Sequence, residues 1–142
     1  MKIYLGADHN GLSLKHKISD FLSEKKIAFE DSGAHFLDSN DDYPDISQIV
    51  AEKVAENESN RGILICKSGQ GVCIASNKIK GIRAAQAFSA EMCRSGRHDD
   101  DINILCLSSY YQKWDEIKDI IDAFLETEFS GEERFGRRIG KL

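Results

Sequence analysis

A chain of 142 residues, 41% hydrophobic and 30% charged, has apolar material for one buried core and fits a single domain. Its formal net charge of −5 excludes a broad nucleic-acid or anionic-membrane surface, so any anion must be caught by a few local cations. The four cysteines, Cys66, Cys73, Cys93 and Cys106, include no Cys-x-x-Cys, and no His-x(3–5)-His accompanies them, which argues against a metal site.

In chain order, Lys2 to Ala7 reads as a buried strand. The opening Met1 to Asp8 has too short an apolar stretch for an export signal, and no stretch approaches membrane-spanning length. The expectation is a cytoplasmic protein with reduced thiols and no membrane partner. Leu12 to Lys25 is helical, with Leu14, Ile18, Phe21 and Leu22 on one face. Ile27 to Glu30 is a short strand, and Asp31 to Tyr43 an acidic loop. Pro44 suits the first turn of a helix whose apolar stripe is Ile46, Ile49, Val50 and Val54. Arg61 to Cys66 is a third strand, Gly71 to Lys78 a short helix, and Ile82 to Ala87 a fourth strand. Ser89 to Arg97 is a helix and Ile102 to Leu107 a fifth strand. Trp114 to Glu126 is the last long helix, carrying Ile117, Ile120, Ile121, Phe124 and Leu125. Phe129 to Leu142 is a basic tail with Arg134, Arg137, Arg138 and Lys141, expected to dock on something, such as a neighbouring subunit.

Strands alternating with helices predict one α/β domain over residues 1–142: a three-layer α/β/α, doubly wound, Rossmann-like fold with a five-stranded parallel sheet. Sites in such folds lie beyond the carboxyl ends of the strands. That edge is expected to carry Asp8 and His9, the run Cys66 to Gly71, and Tyr110.

Cys66 is the most informative of these. It ends an apolar strand and opens Cys66-Lys67-Ser68-Gly69-Gln70-Gly71, before a helix. The free N–H groups of a helix start attract anions and favour a thiolate, and Lys67 pushes the same way. A lone cysteine at a strand end is more often a small buried hydrophobe. The flanking glycines weigh against that reading, because they let backbone approach a ligand closely. A thiolate beside an anion hole points to a base or nucleophile acting on an anionic substrate. Asp8 can hold hydroxyl groups or cap the following helix, and His9 can meet a phosphate or merely face solvent. Arg134 and Arg138, four apart, share a helix face that suits a phosphate, although such pairs are often only solvated surface.

Taken together, Gly6-Ala7-Asp8-His9-Asn10-Gly11, Asp42-Tyr43-Pro44-Asp45, Gly62-Ile63-Leu64-Ile65-Cys66, Ser68-Gly69, Ala75-Ser76-Asn77-Lys78 and Gly81-Ile82-Arg83-Ala84 appear in order, followed by Arg134 and Arg138. This pattern resembles the type B ribose-5-phosphate isomerase family, which includes relatives acting on allose 6-phosphate and galactose 6-phosphate, and it covers nearly the whole chain. The resemblance implies aldose–ketose isomerisation of a phosphorylated sugar, ribose 5-phosphate by default, through an enediol(ate), with no cofactor and no metal. By resemblance Cys66 is the base, and Ser68 assists proton movement or oxyanion stabilisation. Residues 67 to 71, including Lys67, Gly69, Gln70 and Gly71, line the substrate with Tyr43, and Asp8 holds sugar hydroxyls. His9, Arg134 and Arg138 hold the phosphate. The family's site lies between two subunits, which implies a homodimer or tetramer.

Four positions depart from that pattern. Lys67 stands where the family usually has Gly, and Tyr110 where a phosphate-binding Arg often follows strand five. In Arg97-His98-Asp99-Asp100-Asp101-Ile102-Asn103, ungapped alignment puts Asp99 at the ring-opening His position and Asp100 at a neighbouring Asn position, with His98 one residue early. His98 or Asp99 is then expected to open the sugar ring, His98 being favoured because its ordinary pKa, about 6.5, needs less tuning than a carboxylate's, about 4. A one-residue adjustment of the loop before strand five would bring His98 in. Alternatives are one subunit of a two-chain hexose-phosphate isomerase, whose related partner supplies the missing His, and a non-catalytic sugar-phosphate binder. A phosphoacceptor receiver shares the βα rhythm but needs an Asp at the end of strand three, where Cys66 stands.

Overall fold

The computed structural model describes residues 1–142. In chain order its elements are β1 (Ile3–Ala7), α1 (Leu12–Glu24), β2 (Phe29–Asp31), α2 (Tyr43–Ala55), β3 (Arg61–Cys66), α3 (Gln70–Ser76), β4 (Ala84–Gln86), α4 (Ala90–Asp100), β5 (Ile104–Ser108), α5 (Trp114–Glu126) and α6 (Glu133–Ile139). The sheet is five-stranded, in the order β2-β1-β3-β5-β4. Every pairing is parallel. The expected doubly wound α/β/α architecture is the observed one.

Alternation along the strands splits the core in two. Ile3, Leu5, Ile63, Ile65, Leu105 and Leu107 face α1, α4 and α5. Tyr4, Leu64, Cys66, Ile104 and Cys106 face α2 and α3. Successive strand side chains point to opposite faces, so β3 sends Ile65 to one layer and Cys66 to the other. No helix is long and apolar enough to cross a membrane.

The two short strands are shorter than expected, for local reasons. Lys26 takes a positive φ of 57° and turns the chain before β2, so pairing starts at Phe29 rather than Ile27. Ile82 is held in a turn by Ile79 O, and the Arg83 amide donates to the Asn103 side chain, so β4 pairs only from Ala84. Helix α4 continues past Arg97 to Asp100, where Asp101 ends it in a left-handed conformation. The buried Arg97 explains the extension, since its guanidinium donates to Asp101 Oδ1 at 2.7 Å and to Thr127 O.

The basic tail forms α6 and docks on its own chain. Phe135 is buried and its ring meets His98 edge-on at 6.2 Å, while the Ser130 amide donates to His98 O.

Candidate active site

Strand order reverses between β1 and β3, and the crevice there opens between Asp8 and Cys66. A cleft of about 380 Å³ is lined by Asp8, Asn10, Tyr43, Cys66, Lys67, Ser68, Gln70, Gly71 and Ile74. The carboxyl edge of the sheet thus brings together most of the residues expected there.

Cys66 is 5% exposed at the end of β3. The chain turns sharply after it, and the Gly69 amide donates back to Cys66 Sγ at 3.1 Å. Gly69 holds a left-handed φ of 77°, and a Cβ there would sit 2.3 Å from Gln86 Nε2. Glycine is required twice over, by conformation and by space. Gln86, from β4, donates to Ser68 O at 2.7 Å and ties the loop down from across the sheet. The Gln70 amide donates to Ser68 Oγ, whereas the Gly71 amide has no partner within the chain. Gly71 lies flat under Tyr43, whose ring would be 2.7 Å from any Cβ added there.

Lys67 does not strain the loop. The non-glycine residues with positive φ are Lys26 and Asp101, so Lys67 sits in ordinary backbone. Its carbonyl accepts from Ser108 Oγ at 2.6 Å, and that hydroxyl accepts in turn from the Tyr110 and Tyr111 amides. This knot places Lys67 Nζ over the Tyr110 ring, 5.4 Å from its centroid.

Asp8 is 5% exposed, and its Oδ1 accepts the Gly11 amide at 3.1 Å. Burial raises its carboxyl above the usual range, against the pull of the Gly11 hydrogen bond. His9 is held by Asp41, whose Oδ1 accepts from the ring Nδ1 edge at 2.6 Å and from the His9 amide at 3.0 Å. That bond raises the imidazole above its ordinary value. Asp8, His9 and Asp41 have polar atoms within 4.8 Å of one another. Nδ1 is already engaged by Asp41, so the group reads as a His–Asp pair rather than a ligand set.

The remaining expected site residues lie elsewhere. His98, Asp99 and Asp100 form the last turn of α4, which ends beside the starting ends of β3, β4 and β5. Hydrogen-bonded into the helix, they are not on a loop that a one-residue adjustment could shift. Arg134 and Arg138 stack on Phe135 at 4.4 and 5.6 Å, at that same edge. Strand β5 spans the distance from Ile104 beside Gly62 to Ser108 beside Cys66. At about 3.3 Å per residue, about 13 Å of sheet separates the two groups within one chain. His98 Nδ1 and Asp99 Oδ1 are 2.7 Å apart, so the two ring-opening candidates form one pair. Asp41, Gln86 and Ser108 were missed by sequence reasoning. Each acts through a partner distant in sequence, and no local motif marks it.

The family model described as Ribose/Galactose Isomerase matches residues 3–142. A relative named probable ribose-5-phosphate isomerase B from Mycoplasma genitalium is 44% identical over 141 residues, covering 99% of this chain and 92% of its own. The solved ribose-5-phosphate isomerase B of Clostridium thermocellum superposes with a TM-score of 0.94 at 43% identity, covering 99% of this chain and 94% of that one. The Mycoplasma genitalium enzyme solved with bound ribulose-5-phosphate gives a TM-score of 0.94 at 44% identity, covering 99% and 92%.

Proposed function

This chain belongs to the Ribose/Galactose Isomerase family, and we propose that it interconverts ribose 5-phosphate and ribulose 5-phosphate through an enediolate, with Cys66 as the base. The observation that carries this reading is the Gly69 amide donating to a thiol that faces the crevice between β1 and β3. An N–H aimed at sulfur favours negative charge there, which a proton-abstracting thiolate needs. The ribulose-5-phosphate bound to a relative of the same fold supports the substrate class.

In this mechanism Cys66 Sγ takes the proton from the carbon beside the carbonyl and returns it to the neighbouring carbon. The charge that develops on the carbonyl oxygen is met by the unpartnered Gly71 amide and by Ser68. Asp8 accepts hydrogen bonds from sugar hydroxyls, and Tyr43 walls the cleft over Gly71. Lys67 supplies positive charge where Tyr110 has none to offer.

The opposite edge completes the site from a second copy of the chain. His98, paired with Asp99, opens the cyclic sugar, Asp100 lines the sugar beside them, and Arg134 and Arg138 join His9 on the phosphate. The separation of these residues from Cys66 across the sheet supports a homodimer with shared sites, or a tetramer built from such dimers. The test is a coupled isomerase assay on the purified chain with a panel of pentose and hexose phosphates. Turnover of ribose 5-phosphate by the chain alone is expected. Inactivity relieved only by a related chain would instead favour a two-chain enzyme, and binding without turnover under all conditions a sugar-phosphate binder.

A further inference from the structure

The imidazole of His9 is gripped on both edges. One carboxylate oxygen, Asp41 Oδ1, takes the Nδ1 edge at 2.6 Å and the residue's own amide at 3.0 Å, which fixes ring and backbone together. On the other edge Asn10 Nδ2 lies 2.9 Å from Nε2. Asp41 belongs to the acidic loop between β2 and α2, whose near end is pinned by the fully buried Lys15 donating to both oxygens of Asp31 at 2.7 Å. The Asp41 side chain is 15% exposed and pairs with His9. Its second oxygen, Oδ2, is buried with no partner. A carboxylate shielded in this way is best stabilised by a neighbouring cation.

We infer that Asp41 is a positioning residue that clamps the Nδ1 edge of His9 and so turns the Nε2 edge, on the Asn10 side, to the substrate phosphate. The inference rests on the proposed phosphate role of His9 and adds what makes that role work. With Nδ1–H committed to Asp41, a neutral ring would aim the Nε2 lone pair at an anion. Only the imidazolium donates from both nitrogens. The carboxylates facing the ring are Asp41, Asp8 and Asp38, and they hold its proton more firmly than an isolated imidazole would. Arg134 and Arg138 of a second copy press the other way in the assembled site. The Asn10 amide serves both states by a half-turn. Nδ2 faces a neutral Nε2, and Oδ1 faces a protonated one, until a phosphate oxygen takes its place.

Asp41→Asn in the full chain tests the clamp, because it keeps shape and removes charge. Two readouts are needed: the His9 titration by side-chain NMR, and kcat and KM across about pH 6 to 8, where a histidine titrates. In the variant the His9 midpoint should fall toward its ordinary value. KM for ribose 5-phosphate should rise about tenfold at the alkaline end, recover toward wild type at the acid end, and leave kcat within about twofold. Competitive inhibition by inorganic phosphate should weaken in parallel. A His9 midpoint that does not move, or a KM rise equal at both ends, overturns the clamp. His9→Asn separates the premise. If that variant keeps normal KM and normal phosphate inhibition, His9 does not bind the phosphate and the proposed site itself is wrong there.

Discussion

The Gly69 amide points at the Cys66 sulfur from 3.1 Å, across a left-handed turn that only glycine fits. In the proposed site the base and the donor that supports its charge are therefore set by a single backbone reversal. Cys66→Ala should lower turnover by orders of magnitude while substrate binding, measured by calorimetry, largely remains. Gly69→Ala should damage the rate nearly as much, although it removes no functional group. Its Cβ would collide with Gln86 Nε2 and its φ would be strained, so the loop must shift. Undiminished turnover in Cys66→Ala would sink the assignment of the base.

The other cysteines differ in environment, and alkylation will read the difference. Burial pushes the Cys93 thiol up to about 12 and Cys106 well above the usual range. A hydrogen bond from Cys106 draws Cys73 down to about 7, although the Ala84 carbonyl 3.3 Å from its sulfur suits the protonated thiol. At neutral pH iodoacetamide should spare Cys93 and Cys106. It should reach Cys73 slowly, and should modify Cys66 in a manner that sugar phosphate blocks. Peptide mass mapping with and without ribose 5-phosphate decides it.

In the proposed site Asp8 trades stability for function. Burial raises its carboxyl in the folded chain, so its contribution to stability is fully present below the unfolded pKa and is lost as pH rises through the folded one. Asp8→Asn should raise the melting temperature at pH 7, and that advantage should fade as pH falls and the wild-type carboxyl, raised by burial, takes up its proton. The same variant should lose at least about tenfold in kcat/KM, as expected for one hydrogen bond to a charged group. A variant no more stable at pH 7 than wild type would contradict the burial argument.

Lys67 stands over Tyr110, and in the proposed site it supplies the phosphate with the charge that Tyr110 lacks. Lys67→Gly should raise KM by about one to two decades, the loss of one charge-assisted contact. Adding Tyr110→Arg to that variant should recover most of it. Improved affinity in Lys67→Gly alone would show instead that Lys67 is a steric burden.

What was legible in the sequence was whatever a short stretch of chain decides. β1, β3 and β5 are runs of apolar residues, and the Cys66 loop carries its own glycines, so the strands and the place of the thiol at the end of β3 could be read directly. β2 and β4 shrank because Lys26 and the Arg83–Asn103 bond turn the chain first, and neither effect has a periodicity. Asp41 reaches His9 over 32 residues and Gln86 reaches Ser68 over 18, so their roles exist only in the folded chain. The choice between His98 and Asp99 had no local answer either, because the two side chains bind each other. In the proposed site His98→Ala should abolish turnover of the cyclic sugar, and Asp99→Asn should reduce it less.

The opposed placement of Cys66 and His98 at the two ends of the sheet carries a genetic consequence. In the proposed pair each copy lends one half-site and borrows the other, so damage to either half is recessive within a mixed population. Cys66→Ala and His98→Ala chains, each inert, should regain up to about a quarter of wild-type activity when unfolded and refolded together, since random pairing leaves about half the dimers mixed with one intact site apiece. A duplicated copy could likewise shed one half and survive as a dedicated lender, so a division of labour between two unequal chains needs no new chemistry, only loss.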